Sequence, residues 1–369
     1  DAVTGRPLLE SDSRDVVTPA STAKIATAIA ALTVLPADRR LTTRVVAGSA
    51  PGEVVVIGGG DASLAGPLSK VSYPPAAQLS ALAAQVRMVG PVTRVVVDDT
   101  LYGGPVLGPG WRPEYVTGGD VAPVTALMVD GGRTRRSPSR APRQSDPSLA
   151  AGRQLAVLLG APAASVVRGR AAAGAKELGA VLSPTVQQLV EGMLTRSDND
   201  LAESLARQVA IATGQPASFA GVAAAMQSVL ANVLAGVGAA PGSVQLLDGS
   251  GLSRLDRVQP GALTRLLASV AGRDRDRLFP VLSGLPVAGF DGTLEKRFRK
   301  GPGLPAAGVV RAKTGTLNGV SALAGLVRTQ DDRLLAFDLT ADNVPLGRTL
   351  ASQRALDRLA AALAGCGCA

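Results

Sequence analysis

Three short patterns bring hydroxyls, amines and an amide together in an order that suits nucleophilic chemistry. They are Ser21-Thr22-Ala23-Lys24, Ser197-Asp198-Asn199 and Lys313-Thr314-Gly315, and each occurs once. A serine hydroxyl becomes a good nucleophile only when a base takes its proton. Lys24 follows Ser21 by three positions, so on a helix the two side chains share a face, and a neutral amine there can be that base. A second ammonium at Lys313 and partial burial both push Lys24 towards neutrality. Ser197-Asp198-Asn199 falls between two helical runs and reads as a loop presenting a hydroxyl and an amide to a cleft. Lys313-Thr314-Gly315 ends a strand, where Lys313 offers charge to a carboxylate and Gly315 lets a substrate backbone come close.

Histidine is absent from all 369 residues. That excludes Ser-His-Asp and Cys-His sites, zinc helices of the HExxH kind and any imidazole base. The net charge is +9, and only six of the 38 basic residues are lysines: Lys24, Lys70, Lys176, Lys296, Lys300 and Lys313. A basic balance suits nucleic acid, an anionic polymer or a membrane surface. Aromatic residues make up only 2% of the chain, with no stacking platform among them, so nucleic acid is not expected as a partner. No apolar run reaches the roughly 18 residues of a membrane-spanning helix, and no such segment is expected. Cys366 and Cys368 flank a single residue near the end of the chain. A disulfide at that spacing is strained and no ligand set accompanies the pair, so it reads as a mobile tail. No metal site and no organic cofactor are expected.

Taken singly, each pattern has a plain structural explanation. Ser21 can be a helix-start serine with Lys24 on the surface, and Ser197-Asp198-Asn199 can be a helix cap. Lys313-Thr314-Gly315 is not a phosphate loop, because Ala312 stands where that loop needs glycine. Their joint occurrence, in this order and in fitting contexts, points to one site.

The elements that must position them follow from the patterning. The length suggests two or three domains, and the 46% of hydrophobic residues can build a core of Ala, Val and Leu. Thr18 as N-cap and Pro19 at the first position start a helix through Ile25, Ile29, Leu32 and Leu35, ending at Pro36. Residues 41–129 show short β-rich runs, such as 54–57 and 95–97, with one helical stretch at 76–89. Residues 1–9 read as the end of one strand, a Thr-Gly turn and the start of another, as if a further segment preceded them. Residues 131–148, with Arg133, Arg135, Arg136, Arg140 and Arg143 among Pro and Ser, read as a solvated loop. Residues 150–234 read mostly helical. Runs at 309–313, 321–327 and 334–339 read as three strands, and a helix at 345–363 closes the chain. There is no internal repeat, and the order of elements argues for an α+β fold.

The three motifs together are those of penicillin-binding proteins and class A β-lactamases. With Thr18-Pro19-Ala20-Ser21, Gly58-Gly59-Gly60-Asp61, Asp248-Gly249-Ser250-Gly251-Leu252-Ser253, Gly292-Thr293-Leu294 and Ala312-Lys313-Thr314-Gly315-Thr316, the chain resembles a narrower group over nearly its whole length. That group is the low-molecular-mass class C penicillin-binding proteins, the D-alanyl-D-alanine carboxypeptidase/endopeptidases of peptidase family S13. The resemblance implies a transpeptidase/β-lactamase-like α+β domain, an antiparallel sheet flanked by helices, with a β-rich accessory domain inserted. Lys24 and Ser197 stand 173 positions apart (197 − 24), as an insertion between the first two motifs requires. It is shorter than in fuller members. The implied division is 1–45 with 182–369 for the catalytic domain and 46–181 for the insertion.

The resemblance also implies roles. Ser21 is the nucleophile, Lys24 the base, Ser197 the proton relay to the leaving amine, and Lys313 tunes the field. Asn199 holds the substrate amide; Thr314, Gly315 and Thr316 line the place of the terminal carboxylate. The backbone N–H groups of Ser21 and Thr316 form the oxyanion hole. Asp248–Gly251 reads as a tight turn near the cleft with no role of its own. The implied activity is a secreted serine D,D-peptidase of the periplasm or cell envelope, acting on peptidoglycan stem peptides and acylated by β-lactam antibiotics. A Glu-x-x-x-Asn deacylation loop has no counterpart between Ser21 and Ser197, which argues against efficient β-lactam hydrolysis. The alternatives are a β-lactamase-like hydrolase and a non-catalytic cell-wall binding module.

Overall fold

The computed structural model describes residues 1–69, 73–136, 140–272 and 274–367. Helix α1 (Ala23–Val34) is buried from Ala23 through Leu32 on every side. A helix apolar all round belongs in the middle of a core, and its alanines let neighbouring helices pack closely. Strands β1 (Arg40–Ala47) and β2 (Glu53–Ile57) follow. Then come α2 (Leu79–Arg87), β3 (Arg94–Asp98), the short α3 (Glu114–Thr117) and α4 (Pro147–Leu159). Strands β4 (Val166–Arg168) and β5 (Glu177–Thr185) complete one sheet, ordered β4-β3-β2-β1-β5.

That sheet is mixed. Strand β1 pairs antiparallel with β2 and β5, while β2, β3 and β4 run parallel. Parallel neighbours need crossovers, which carry α2 and α4. Both faces are covered, which explains unbroken valine runs in place of alternation. Val54, Val56, Val95 and Val97 face Leu82 and Leu155 on one side, and Val46, Val55 and Val96 cluster on the other. The mostly helical reading of 150–234 therefore fails at β4 and β5. The Gly, Ala and Pro within β5 blur its period, and pairing with β1 decides its state.

The remaining helices are α5 (Val186–Arg196), α6 (Asn199–Ala212), α7 (Phe219–Gly236), α8 (Pro260–Ala271) and α9 (Arg275–Gly284). They pack around α1 in the largest core. The two-residue strands β6 (Val244–Gln245) and β7 (Arg257–Val258) pair within this region. Contrary to the sequence reading, α7 is long and apolar enough to cross a membrane, by length and composition alone. Its Val222, Met226, Val229 and Leu230 are buried in the core around α1.

Strands β8 (Val310–Leu317), β9 (Val320–Arg328) and β10 (Leu334–Ala341) form an antiparallel sheet backed by α10 (Thr349–Ala364). The β8–β9 hairpin turns at Asn318-Gly319, with Gly319 in the left-handed region at φ +86°, which glycine adopts without strain. Strand β8 extends to Leu317, so Lys313 lies inside it rather than at its end. Residues 1–9 form no strand. The Thr4-Gly5 turn is there, closed by the Gly5 N–H on Asp1 O, and Ala2 N–H bonds Leu334 O. Of the two cysteines, Cys366 is disulfide-bonded despite the strain expected at that spacing, and Cys368 lies outside the described residues.

Candidate active site

Ser21 sits in a single 3₁₀ turn, Ala20–Thr22, ahead of α1. Thr18 does not cap it; the turn is instead closed by Thr22 N–H and Oγ1 on Pro19 O. Ala20 takes φ +50°, a left-handed conformation that costs about 1 kcal/mol or more outside glycine. Two glycines hold this strained turn in place. A Cβ on Gly251 would lie 1.9 Å from Ala20 O, and a Cβ on Gly315 would lie 2.8 Å from Pro19 O. Gly315 therefore makes room for the turn that carries Ser21. Gly251 also sits at φ +76°. Gly251→Ala is expected to destabilise the protein by more than about 1 kcal/mol and to slow acylation together with it. Chemical denaturation checks this, and an unchanged midpoint would contradict the packing.

The second motif is a helix junction rather than an open loop. Ser197 ends α5 at φ +57°, and the Asp198 N–H reaches back to Met193 O at 3.0 Å. This closure usually employs glycine, so a serine here points to a use for its hydroxyl. Asp198 then caps α6 by accepting the Leu201 N–H at 3.0 Å, and Asn199 is the first helical residue.

The three motifs meet. Lys24 Nζ lies 3.0 Å from Ser21 Oγ, 2.6 Å from Asn199 Oδ1 and 2.6 Å from Ser250 O. Asn199 Nδ2 donates to Asp120 O at 2.8 Å, which fixes its Oδ1 towards the lysine. Lys313 Nζ donates to Ser197 Oγ at 2.8 Å and to Thr314 O at 2.9 Å. Both lysines are 0% exposed, whereas Ser21, Ser197 and Asn199 are half-buried and Thr316 is exposed. The amines are thus dry while the hydroxyls reach the surface.

Burial brings Lys24 down to about 8, against the pull of Asp248, Glu203, Asp198 and Asp200. Lys313 falls well below the usual lysine range, first by burial and then by repulsion from Lys24. The repulsion is mutual and disfavours a second ammonium, and desolvation is the largest cause for both lysines. Once neutral, Lys24 keeps two N–H groups and one lone pair. Asn199 Oδ1 and Ser250 O can only accept, so they take the two N–H groups. The lone pair is left facing Ser21 Oγ.

Strand β8 runs along this group. Residues 286–288 pair with its first half, through Ala312 N–H to Pro286 O at 2.9 Å, and the 313–316 half passes the Ser21 turn. The alternation of a strand sets Thr314 and Thr316 on the face opposite Lys313. Thr314 Oγ1 donates to Thr293 Oγ1 at 2.9 Å, and Gln353 Nε2 on α10 donates to Thr316 Oγ1 at 3.2 Å.

Several residues that sequence reasoning left without a role complete the site. The Asp248–Ser253 loop delivers the Ser250 carbonyl to Lys24. Asp248 shapes it by accepting the Gly251 and Ser253 N–H groups, each at 2.7 Å, and Trp111 Nε1 at 2.6 Å. Arg143, expected in a solvated loop, is buried. It pairs with Asp200 at 3.3 Å and donates to Gly131 O and Gly119 O. Asp200 in turn accepts the Ala122 N–H at 2.8 Å, so the segment around 119–122 is clamped beside Asn199. Removing one partner of a buried pair strands the other charge, at a cost of about 3–5 kcal/mol. Arg143→Ala is expected to lower the unfolding free energy by that amount; a loss under about 1 kcal/mol would contradict it.

Comparison with known proteins adds independent findings. The sequence profile of the D-Ala-D-Ala carboxypeptidase 3 (S13) family matches residues 1–148 and 135–363. Carboxypeptidase DacB of Mycolicibacterium smegmatis is 42% identical over 375 residues, covering 100% of this chain and 80% of the relative. The crystal structure of penicillin binding protein 4 (dacB) from Haemophilus influenzae superposes with a TM-score of 0.79 at 23% identity, over 97% of this chain and 94% of that one. A second structure of that protein, complexed with a β-lactam, superposes at 0.70 with 22% identity, over 95% and 92%. At these identities the two structures speak for the fold alone.

Proposed function

Because the chain belongs to the D-Ala-D-Ala carboxypeptidase 3 (S13) family, we propose that it is a serine D,D-peptidase that cuts peptidoglycan stem peptides through an acyl-enzyme on Ser21. The observation that carries this reading is the aim of the Lys24 lone pair at Ser21 Oγ, imposed by two acceptors that can take only its N–H groups.

Ser21 gives its proton to Lys24 as its Oγ bonds the D-Ala-D-Ala carbonyl carbon. The oxyanion is met by the backbone N–H groups of Ser21 and Thr316. The C–N bond then breaks as the proton taken by Lys24 passes through Ser197, held by Lys313, to the leaving D-alanine amine, and Lys24 is neutral again. Asn199 orients the substrate amide. Thr314 and Thr316 hydrogen-bond the terminal carboxylate while Lys313, on the other face of β8, attracts it by charge, which opposes the lowering that burial imposes on Lys313. In the second half-reaction water attacks the ester carbonyl as Lys24 takes its proton, the bond from carbon to Ser21 Oγ breaks, and the proton returns to Ser21. No step calls for a metal or organic cofactor. A cross-link presents the same bond after D-alanine, so endopeptidase action uses the same residues. A β-lactam acylates Ser21 by ring opening, and its nitrogen stays attached to the acyl group.

Residues 1–45 and 182–369 serve as the catalytic unit and 46–181 as the insertion. One apolar cluster, from Val45 to Ala161, supports the latter division. Both boundaries fall inside strands, β1 and β5, which join the two units into one sheet. The substrate places the protein in the cell envelope, after secretion to the periplasmic side. Release of D-alanine from a D-Ala-D-Ala peptide by the wild type tests the function. An enzyme that releases none, with the fold intact, contradicts it.

A further inference from the structure

The carboxylate of Glu203 has no part in the steps above, yet it holds the chain that holds Lys24. Glu203 is 0% exposed and lies on α6 four residues after Asn199, on the same face. Its Oε1 accepts the Gly249 N–H at 3.0 Å and the Ser250 N–H at 2.9 Å. The Ser250 carbonyl then accepts Lys24 Nζ at 2.6 Å. One helix therefore sets both fixed acceptors of the amine, Asn199 directly and Ser250 through Glu203. Among the described residues, Glu203 Oε2 has no hydrogen-bond partner. Oε1 alone makes the connection.

We infer that Glu203 is a positioning residue for acyl transfer: by pinning the 249–250 backbone it keeps the Lys24 lone pair on Ser21. This rests on the serine-peptidase reading. Without the pin, Ser250 O is free to shift, an N–H can turn towards Ser21, and the hydroxyl loses its proton acceptor. Displacements of about 1 Å in such an arrangement cost on the order of 100-fold in rate. The charged groups facing Lys24 are Asp198, Asp200 and Glu203 from α6, Asp248 from the loop and Lys313 from β8. Those facing Glu203 are Asp248, Arg207 and Asp256. Burial and the Asp248 charge lift Glu203 itself to about 7.

The test is the rate of acylation by a fluorescent penicillin, followed against pH for the wild type, Glu203→Gln and Glu203→Ala, with thermal unfolding recorded for each. Glu203→Gln keeps an oxygen for both backbone N–H groups and removes the charge. It is expected to stay within about threefold of the wild-type plateau. Its acid limb should move to lower pH, because one carboxylate that favours the Lys24 ammonium has gone. Glu203→Ala is expected to fold and to lose about 100-fold at the plateau. A folded Glu203→Ala enzyme acylating at the wild-type rate overturns the inference. So does a Glu203→Gln enzyme slowed about 100-fold, which would assign the effect to charge and decides the matter even if Glu203→Ala does not fold. A wild type that fails to acylate defeats the serine-peptidase reading instead, so the two failures are distinct.

Discussion

Ser21→Ala is expected to lower D-alanine release from a D-Ala-D-Ala peptide by at least about 10⁴-fold while the protein stays folded. The size follows from what is lost. The substitution removes the atom placed to form the acyl bond beside the Lys24 lone pair, and loss of a nucleophile leaves the residual catalysis of binding and the oxyanion site. The fold should barely notice. Ser21 is half-buried, its Oγ makes one contact at 3.0 Å, and Lys24 keeps Asn199 and Ser250. Stability should change by about 1 kcal/mol at most. Steady-state D-alanine release and thermal unfolding, measured together, separate these effects. Turnover surviving in Ser21→Ala would show that another group attacks.

The second large effect concerns Lys24 and carries a pH signature. The competent form is the neutral amine, whose ionisation burial has brought to about 8. Acylation should therefore rise about tenfold per pH unit below 8 and level off above it. At pH 7 about one molecule in ten is competent. The direction is fixed by the shift itself: a lysine near its ordinary 10.5 would have roughly 0.03% of its amine free at pH 7. Lys24→Met should cut acylation by about 10²–10⁴-fold, the usual share of a general base, and erase the limb near pH 8. Rates that do not rise between pH 7 and 9, or a Lys24→Met enzyme that acylates normally, would remove Lys24 from the role. Lys313 should affect the plateau and substrate affinity, because it holds Ser197 Oγ at 2.8 Å and draws the substrate carboxylate.

What the sequence could reveal of this site divides along a physical line. The motifs are local, and each holds its chemistry within four residues, so Ser21, Lys24, Ser197, Asn199 and Lys313 were readable before any fold was known. Their geometry brings them together, with Lys24 touching Asn199 across 175 positions. The three final strands and closing helix were also legible, because alternation and an amphipathic run mark them. The acceptors that aim Lys24 were not. Ser250 contributes a backbone carbonyl, which no side-chain pattern encodes. Glu203 and Asp248 act on backbone N–H groups from helix and loop. Arg143 looked solvated because its neighbours are Pro, Ser and Arg, while its partner Asp200 lies 57 positions on (200 − 143), in the helix that begins with Asn199. Strand β5 was lost to its Gly, Ala and Pro content, since its state is set by pairing with β1.

The most direct test of the central claim is to incubate the protein with penicillin and locate the adduct by intact and peptide mass spectrometry. The account predicts one added penicilloyl group, carried by the peptide containing Ser21 and missing in Ser21→Ala. An unmodified wild type, or an adduct on Ser197 or any residue other than Ser21, would contradict it.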